Sequence, residues 1–142
     1  MSQVFAAGDP WHLNACLNWS RDPKLIYSEG YKMAAELLIR SIEERKGFPD
    51  FLVYPVCQLY RQHLELKLKE ILRYLKDLGH YKQGIPKTHR LQKLWAECAP
   101  LLIKHNYLEN DDDPEWVKNV AECMRRFEEI DPEAQAFSLR HR

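Results

Sequence analysis

The 142-residue chain is poor in what turn-rich, membrane and cofactor-binding proteins need. Five glycines and eight prolines disfavour the many tight turns of a β-sandwich or barrel. No run approaches the roughly 20 apolar residues that cross a bilayer. The opening MSQVFAAGDPWH has neither the basic nor the apolar part of a secretory signal. The expectation is a cytoplasmic protein without membrane contact. Its four cysteines (Cys16, Cys57, Cys98, Cys123) form no CxxC pair and have no histidine at zinc-finger spacing. Reduced structural thiols are therefore expected, with no metal. The phosphate loop, the nucleophile elbow and HExxH are absent too, and Asp111, Asp112 and Asp113 lack the spacing of a calcium loop. No cofactor is expected. Net charge is also lacking, with 21 Lys/Arg against 21 Asp/Glu. That balance argues against a dedicated polybasic protein, though not against a local patch.

What is present is helical periodicity. Residues 1–19 carry the anchors Phe5, Trp11, Leu13, Leu17 and Trp19, read as an irregular segment lying over the core. Asp22-Pro23 is a good helix start, and Ile26, Ala34, Leu37, Leu38 and Ile42 continue that helix towards Lys46. Gly30 weakens its middle by roughly 1 kcal/mol relative to Ala, which points to close packing there. A long central helix follows, with Val53, Cys57, Tyr60, Leu64, Leu68, Ile71, Leu75 and Leu78 on one stripe and Pro55 near its start. Gly79 ends it. Thr88 is the expected cap of a third helix, which Pro100 should kink. Asp113-Pro114 is the expected start of a fourth, with Asp131-Pro132 opening a last short turn. The expected fold is all-α, a four-to-five-helix up-and-down bundle with an irregular N-terminal segment, in one domain over residues 1–142.

Zero net charge conceals a segregation. Residues 61–93 hold nine Lys/Arg and three Asp/Glu, an excess of six positive charges. Residues 109–133 hold ten Asp/Glu and three Lys/Arg, an excess of seven negative charges. Either a basic face meets phosphate, or the two blocks attract each other or a second subunit.

The densest polar constellation is Tyr60-Arg61-Gln62-His63-Leu64-Glu65-Leu66-Lys67-Leu68-Lys69. Arg61 and Glu65 are an i,i+4 pair flanking the apolar stripe, and a partly buried Arg needs an acceptor. His63 points about 200° away from Arg61. Arg73 and His80 form a weaker pair across a helix end, and His89 sits at a helix start.

Three strings resemble bacterial HEPN-like (higher eukaryote and prokaryote nucleotide-binding) proteins: FLVYPVCQLYRQHLELKLKEIL, THRLQKLW and IDPEAQAFSLRH. They occur in the family's order over about the last two-thirds of the chain. Where those relatives carry Arg-His, this chain has Arg61-Gln62, with the imidazole at His63. The resemblance implies a dimeric helical domain that binds RNA or nucleotides, often a metal-independent ribonuclease of defence or toxin–antitoxin systems. In such a nuclease a histidine moves the 2′-hydroxyl proton and an arginine holds the phosphate. The catalytic candidates are Arg61, His63, Glu65, His80 and His89, with Lys69, Arg73 and Arg140 meeting nucleic acid. The alternative is a non-catalytic interaction module, an antitoxin or dimeric scaffold that binds a partner protein through residues 109–133 and the Trp-rich N-terminus.

Overall fold

The computed structural model describes residues 23–107 and 115–130. The expectations for the N-terminal anchors, for Asp113-Pro114, for the turn at Asp131-Pro132 and for Arg140 fall outside them. The described chain is all-α, a bundle of α1 (Pro23–Glu43), α2 (Pro49–Asp77), α3 (Leu91–Lys104) and α4 (Glu115–Ile130).

The α1–α2 turn is shaped by backbone chemistry. Arg45 takes a positive φ of 56°, and the amides of Lys46 and Gly47 both return to the Ser41 carbonyl. A side chain at Gly47 would meet the Leu52 side chain, which would have to shift to admit it. α2 then starts at Pro49, where a missing N–H costs nothing. Pro55 lies inside the helix rather than at its start. Pro55 and Phe51 are both exposed, so the carbonyl deprived of its partner can be solvated. Gly79, with φ of 77°, stops α2 as the left-handed C-terminal residue, and the His80 amide returns to the Leu75 carbonyl at 2.8 Å.

Residues 78–90 reverse the chain at Gly79. They run back beside α2, so that His89 lies against Arg61 and Cys98 Sγ donates to the Leu68 carbonyl at 3.5 Å. At the far end, His80 and His105 stack. Contacts that advance together along both helices mean that α3 runs in the same direction as α2. Its N-cap position is Arg90, without a side-chain cap bond. Thr88 instead accepts the Arg90 amide (3.1 Å) in the turn before the helix. Pro100 is accommodated within α3.

The core is built from Leu68, Leu72 and Leu75 of α2, Leu91, Leu94, Trp95, Cys98 and Ala99 of α3, Met124 of α4, and Tyr81 from the return segment. Trp95 meets Trp116 edge-on, centroids 6.0 Å apart. Burial pushes the Cys98 thiol up to about 12, so it packs as a small apolar group. α1 contributes little to this core. Among its described side chains only Ser28 and Ala35 are buried, and Ile26 and Leu37, read from the sequence as stripe positions, face away.

α4 closes the bundle with polar contacts through Glu128. Glu128 is 4% exposed and accepts the Gln92 amide (3.0 Å) and the Gln92 side-chain amide (2.8 Å). A carboxylate on the free N–H groups of a helix start satisfies them and suits the helix dipole. Glu128→Ala is expected to cost about 1–2 kcal/mol in urea unfolding, the range of a lost N-terminal cap. An unchanged midpoint would show that Glu128 does not hold α3.

Candidate functional site

Arg61 and Glu65 lie one turn apart on α2, in line with Leu68, Leu72 and Leu75. They are 1% and 2% exposed. The Arg61 Nη2 donates to the His89 carbonyl at 2.8 Å. Glu65 Oε1 accepts from Lys69 Nζ at 2.7 Å and from His89 Nδ1 at 3.0 Å. Arg61 Nη1 and Glu65 Oε2 face each other at 3.8 Å, beyond hydrogen-bond length, so Coulomb attraction joins them.

The arrangement fixes the His89 ring. An ionised carboxylate can only accept, so the imidazole carries its proton on Nδ1. The Nε2 side is left for solvent or a ligand, since the His89 side chain is 66% exposed. A carboxylate that orients one imidazole nitrogen while the other acts as a base is the geometry of a general acid–base pair. Around it, residues 78–96 contain Lys82, Lys87, Arg90 and Lys93 and no Asp or Glu. All four cations are exposed, with Arg90 partly engaged by Glu128 at 3.5 Å.

Four of the sequence candidates thus converge: Arg61, Glu65, Lys69 and His89. Three others lie elsewhere. His63 faces α1, its Nδ1 donating to the Ser28 carbonyl at 2.9 Å with Ser28 Oγ at 3.0 Å. His80 stacks on His105, centroids 3.7 Å apart and planes 23° from parallel. Desolvation, then His80 and Lys104, hold the His105 imidazole below its usual range. Arg73 borders a cavity of about 200 Å³ between α1 and α2, with Tyr27, Tyr31 and Gln62. A second cavity, of about 320 Å³, lies between α2 and α4 against Cys57, Cys123, Phe127 and Ile130. Among the described residues, no three His, Cys, Asp or Glu side chains are grouped as metal ligands.

Sequence reasoning missed Ser28, Gln92, His105 and Glu128. For Glu128 a signal existed, since it follows Met124 by four residues and so shares the buried face of α4. The acidic run around it masked that position.

No protein-family model matches the chain, and no solved structure matches it. Over 81 residues it is 27% identical to the human Microtubule-actin cross-linking factor 1, isoforms 1/2/3/4/5, covering 57% of this chain and 1% of that protein. Over 94 residues it is 27% identical to the rat Microtubule-actin cross-linking factor 1, covering 66% of this chain and 2% of that protein. The chain spans only 1–2% of the length of these curated relatives.

Arg61→Ala and Glu65→Ala should each cost about 3–5 kcal/mol in urea unfolding, because each strands a buried charge. Arg61→Met with Glu65→Leu should recover most of that loss, since both charges leave together. Single variants as stable as the parent would contradict a buried pair.

Proposed function

We propose that this chain is a HEPN-like RNA-binding domain whose phosphate-contacting surface is the return segment between α2 and α3. We further propose that His89 is the acid–base group of a metal-independent ribonuclease on that surface. The observation that supports this reading is the Glu65–His89 contact at the centre of an all-basic exposed stretch. Lys82, Lys87 and Lys93 neutralise phosphates along a single strand, giving sequence-independent affinity. His89 Nε2 takes the 2′-hydroxyl proton as that oxygen attacks the adjacent phosphorus. The bond from phosphorus to the 5′-oxygen of the next nucleotide breaks, that oxygen leaves as a 5′-hydroxyl with a proton from water, and a 2′,3′-cyclic phosphate remains. Glu65 keeps Nδ1 protonated and stabilises the imidazolium that forms. Arg61, being buried, does not meet phosphate in this scheme. It holds the backbone that carries His89, and Lys69 completes the charge around Glu65. A role in bacterial defence or a toxin–antitoxin pair, in the cytoplasm, accompanies the family resemblance.

A second reading, a non-catalytic interaction module, is favoured by one observation: α1 exposes Ile26, Met33 and Leu37. The two readings separate in one assay series. Fluorescence anisotropy with single-stranded RNA is expected to show binding that weakens steeply with salt. Lys87→Glu and Lys93→Glu should each reduce the slope of log affinity against log salt by at least about 0.7. Cleavage in EDTA should fall by about 100-fold or more in His89→Ala. No RNA binding at low salt would refute the RNA-binding reading. Binding without cleavage would remove the enzyme and leave an RNA-binding module.

A further inference from the structure

The two ends of the return segment are fastened differently. At one end Glu65 accepts the proton of the His89 ring. At the other, His80 lies on His105, ring centroids 3.7 Å apart and planes 23° from parallel. Both rings are half-buried. Tyr107 stands beside them, its centroid 6.0 Å from the His80 ring and 6.3 Å from the His105 ring. His105 is the C-cap of α3, and His80 follows the Gly79 that stops α2. The stack therefore joins the C-terminal ends of two helices that run in the same direction. The backbone shows which side is held more firmly. The His80 and Tyr81 amides both return to the Leu75 carbonyl, at 2.8 and 3.1 Å, and Tyr81 is buried. Beyond α3, Asn106 takes a positive φ of 51°, and Asn106 and Tyr107 are exposed. The end of α3 is the more lightly held side.

We propose that the His80–His105 stack is an acid-sensitive clasp, which holds the ends of α2 and α3 together while His105 is neutral and releases the end of α3 when that ring takes a proton. Two imidazolium rings in contact repel, the more so where water is partly excluded. His89 has a carboxylate beside it to balance a positive ring. Among the described residues, neither stacked ring forms an ion pair with an acid. Desolvation, then His80 across the stack, then Lys104 on its own helix, all disfavour the charged His105 ring. The Tyr107 phenol is the other titratable group beside both rings. The C-terminus of α3 by itself attracts positive charge, so the second imidazole is what makes the site resist a proton. The pair takes up its two protons in separate steps. A group whose charged form folding disfavours lends its full stability above its ordinary value, 6.5 for this imidazole. That stability is lost as pH falls through the lower folded value. The clasp lies at the opposite end of the return segment from His89, and none of its readouts involves RNA, so it stands independently of the RNA-binding reading.

Proton–carbon NMR of the full chain, titrated from about pH 8 to about pH 5, tests this. The His105 ring is expected to titrate at higher pH in His80→Phe than in the parent. The Tyr107 ring signals of the parent should move with the His105 titration, because the stack opens beside them. Urea unfolding gives a second reading. His105→Phe keeps a ring in the stack that takes no proton. Between about pH 7.5 and about pH 5, the folding equilibrium constant of the parent should therefore fall at least about twofold further than that of His105→Phe. Circular dichroism at about pH 7.5 establishes that each variant remains helical. A His105 titration indifferent to His80→Phe would overturn the proposal, as would Tyr107 signals that do not follow it. Equal losses of stability in the parent and His105→Phe would overturn it too, because the acid-sensitive group would then lie elsewhere.

Discussion

The fold and the candidate site depend on the same interaction: the grip of Arg61 and Glu65 on His89. Arg61 holds the His89 carbonyl and Glu65 holds its ring, so residues on one turn of α2 fix both backbone and side chain of the segment before α3. That grip brings α3 alongside α2 in the same direction, and Glu128 of α4 then settles on the first turn of α3. A buried pair of charges is an expensive way to fasten two segments, and a hydrophobic contact would cost less. What charge adds is direction. A guanidinium and a carboxylate accept only particular partners at particular angles, so they select one register of the return segment among many apolar alternatives.

The same chemistry resolves the charge segregation. Arg90 with Glu128, at 3.5 Å, is the ion pair that links the basic and acidic blocks among the described residues. Within the basic block, Glu65 takes Lys69 and Arg61, while Lys67 lies between Glu29 and Glu70. Within α4, Glu122 holds Arg125 and Arg126, which pull its carboxyl down to about 2. Among the described residues, several charges of each block are thus paired within their own block. Among the described residues of the basic block, Lys82 and Lys87 on the return segment and Lys93 on α3 pair with no acid, as do Arg73 and Lys76 on α2. The site is therefore defined as much by where acids are missing as by where bases are present.

Helix count and approximate positions were legible in the sequence, because three- and four-residue apolar steps and the Pro23 and Gly79 boundaries are local signals. The convergence of Arg61, Glu65, Lys69 and His89 was partly legible. The three α2 residues announce themselves by i,i+4 spacing, and His89 entered as a helix-start residue. That His89 meets them was not legible, since it depends on the path of residues 78–90 and no local rule dictates that path. Composition also misled about faces. Ile26 and Leu37 look like core residues of α1, yet the face that packs carries Ser28 and Ala35, small enough to let α1 approach α2. In the same way, Arg61 and Glu65 occupy core positions that a hydropathy pattern assigns to the surface. Proline gave weaker guidance than expected, because Pro55 and Pro100 both lie within continuous helices.

The most direct test of the central claim is the position of the proton on the His89 ring, read by long-range proton–nitrogen correlation NMR. The account predicts a proton on Nδ1, donated to Glu65, with both ring-nitrogen shifts moving in Glu65→Gln. A neutral ring protonated at Nε2, with shifts indifferent to Glu65→Gln, would contradict it. In that case α2 does not hold the imidazole, and the candidate site loses its organising contact.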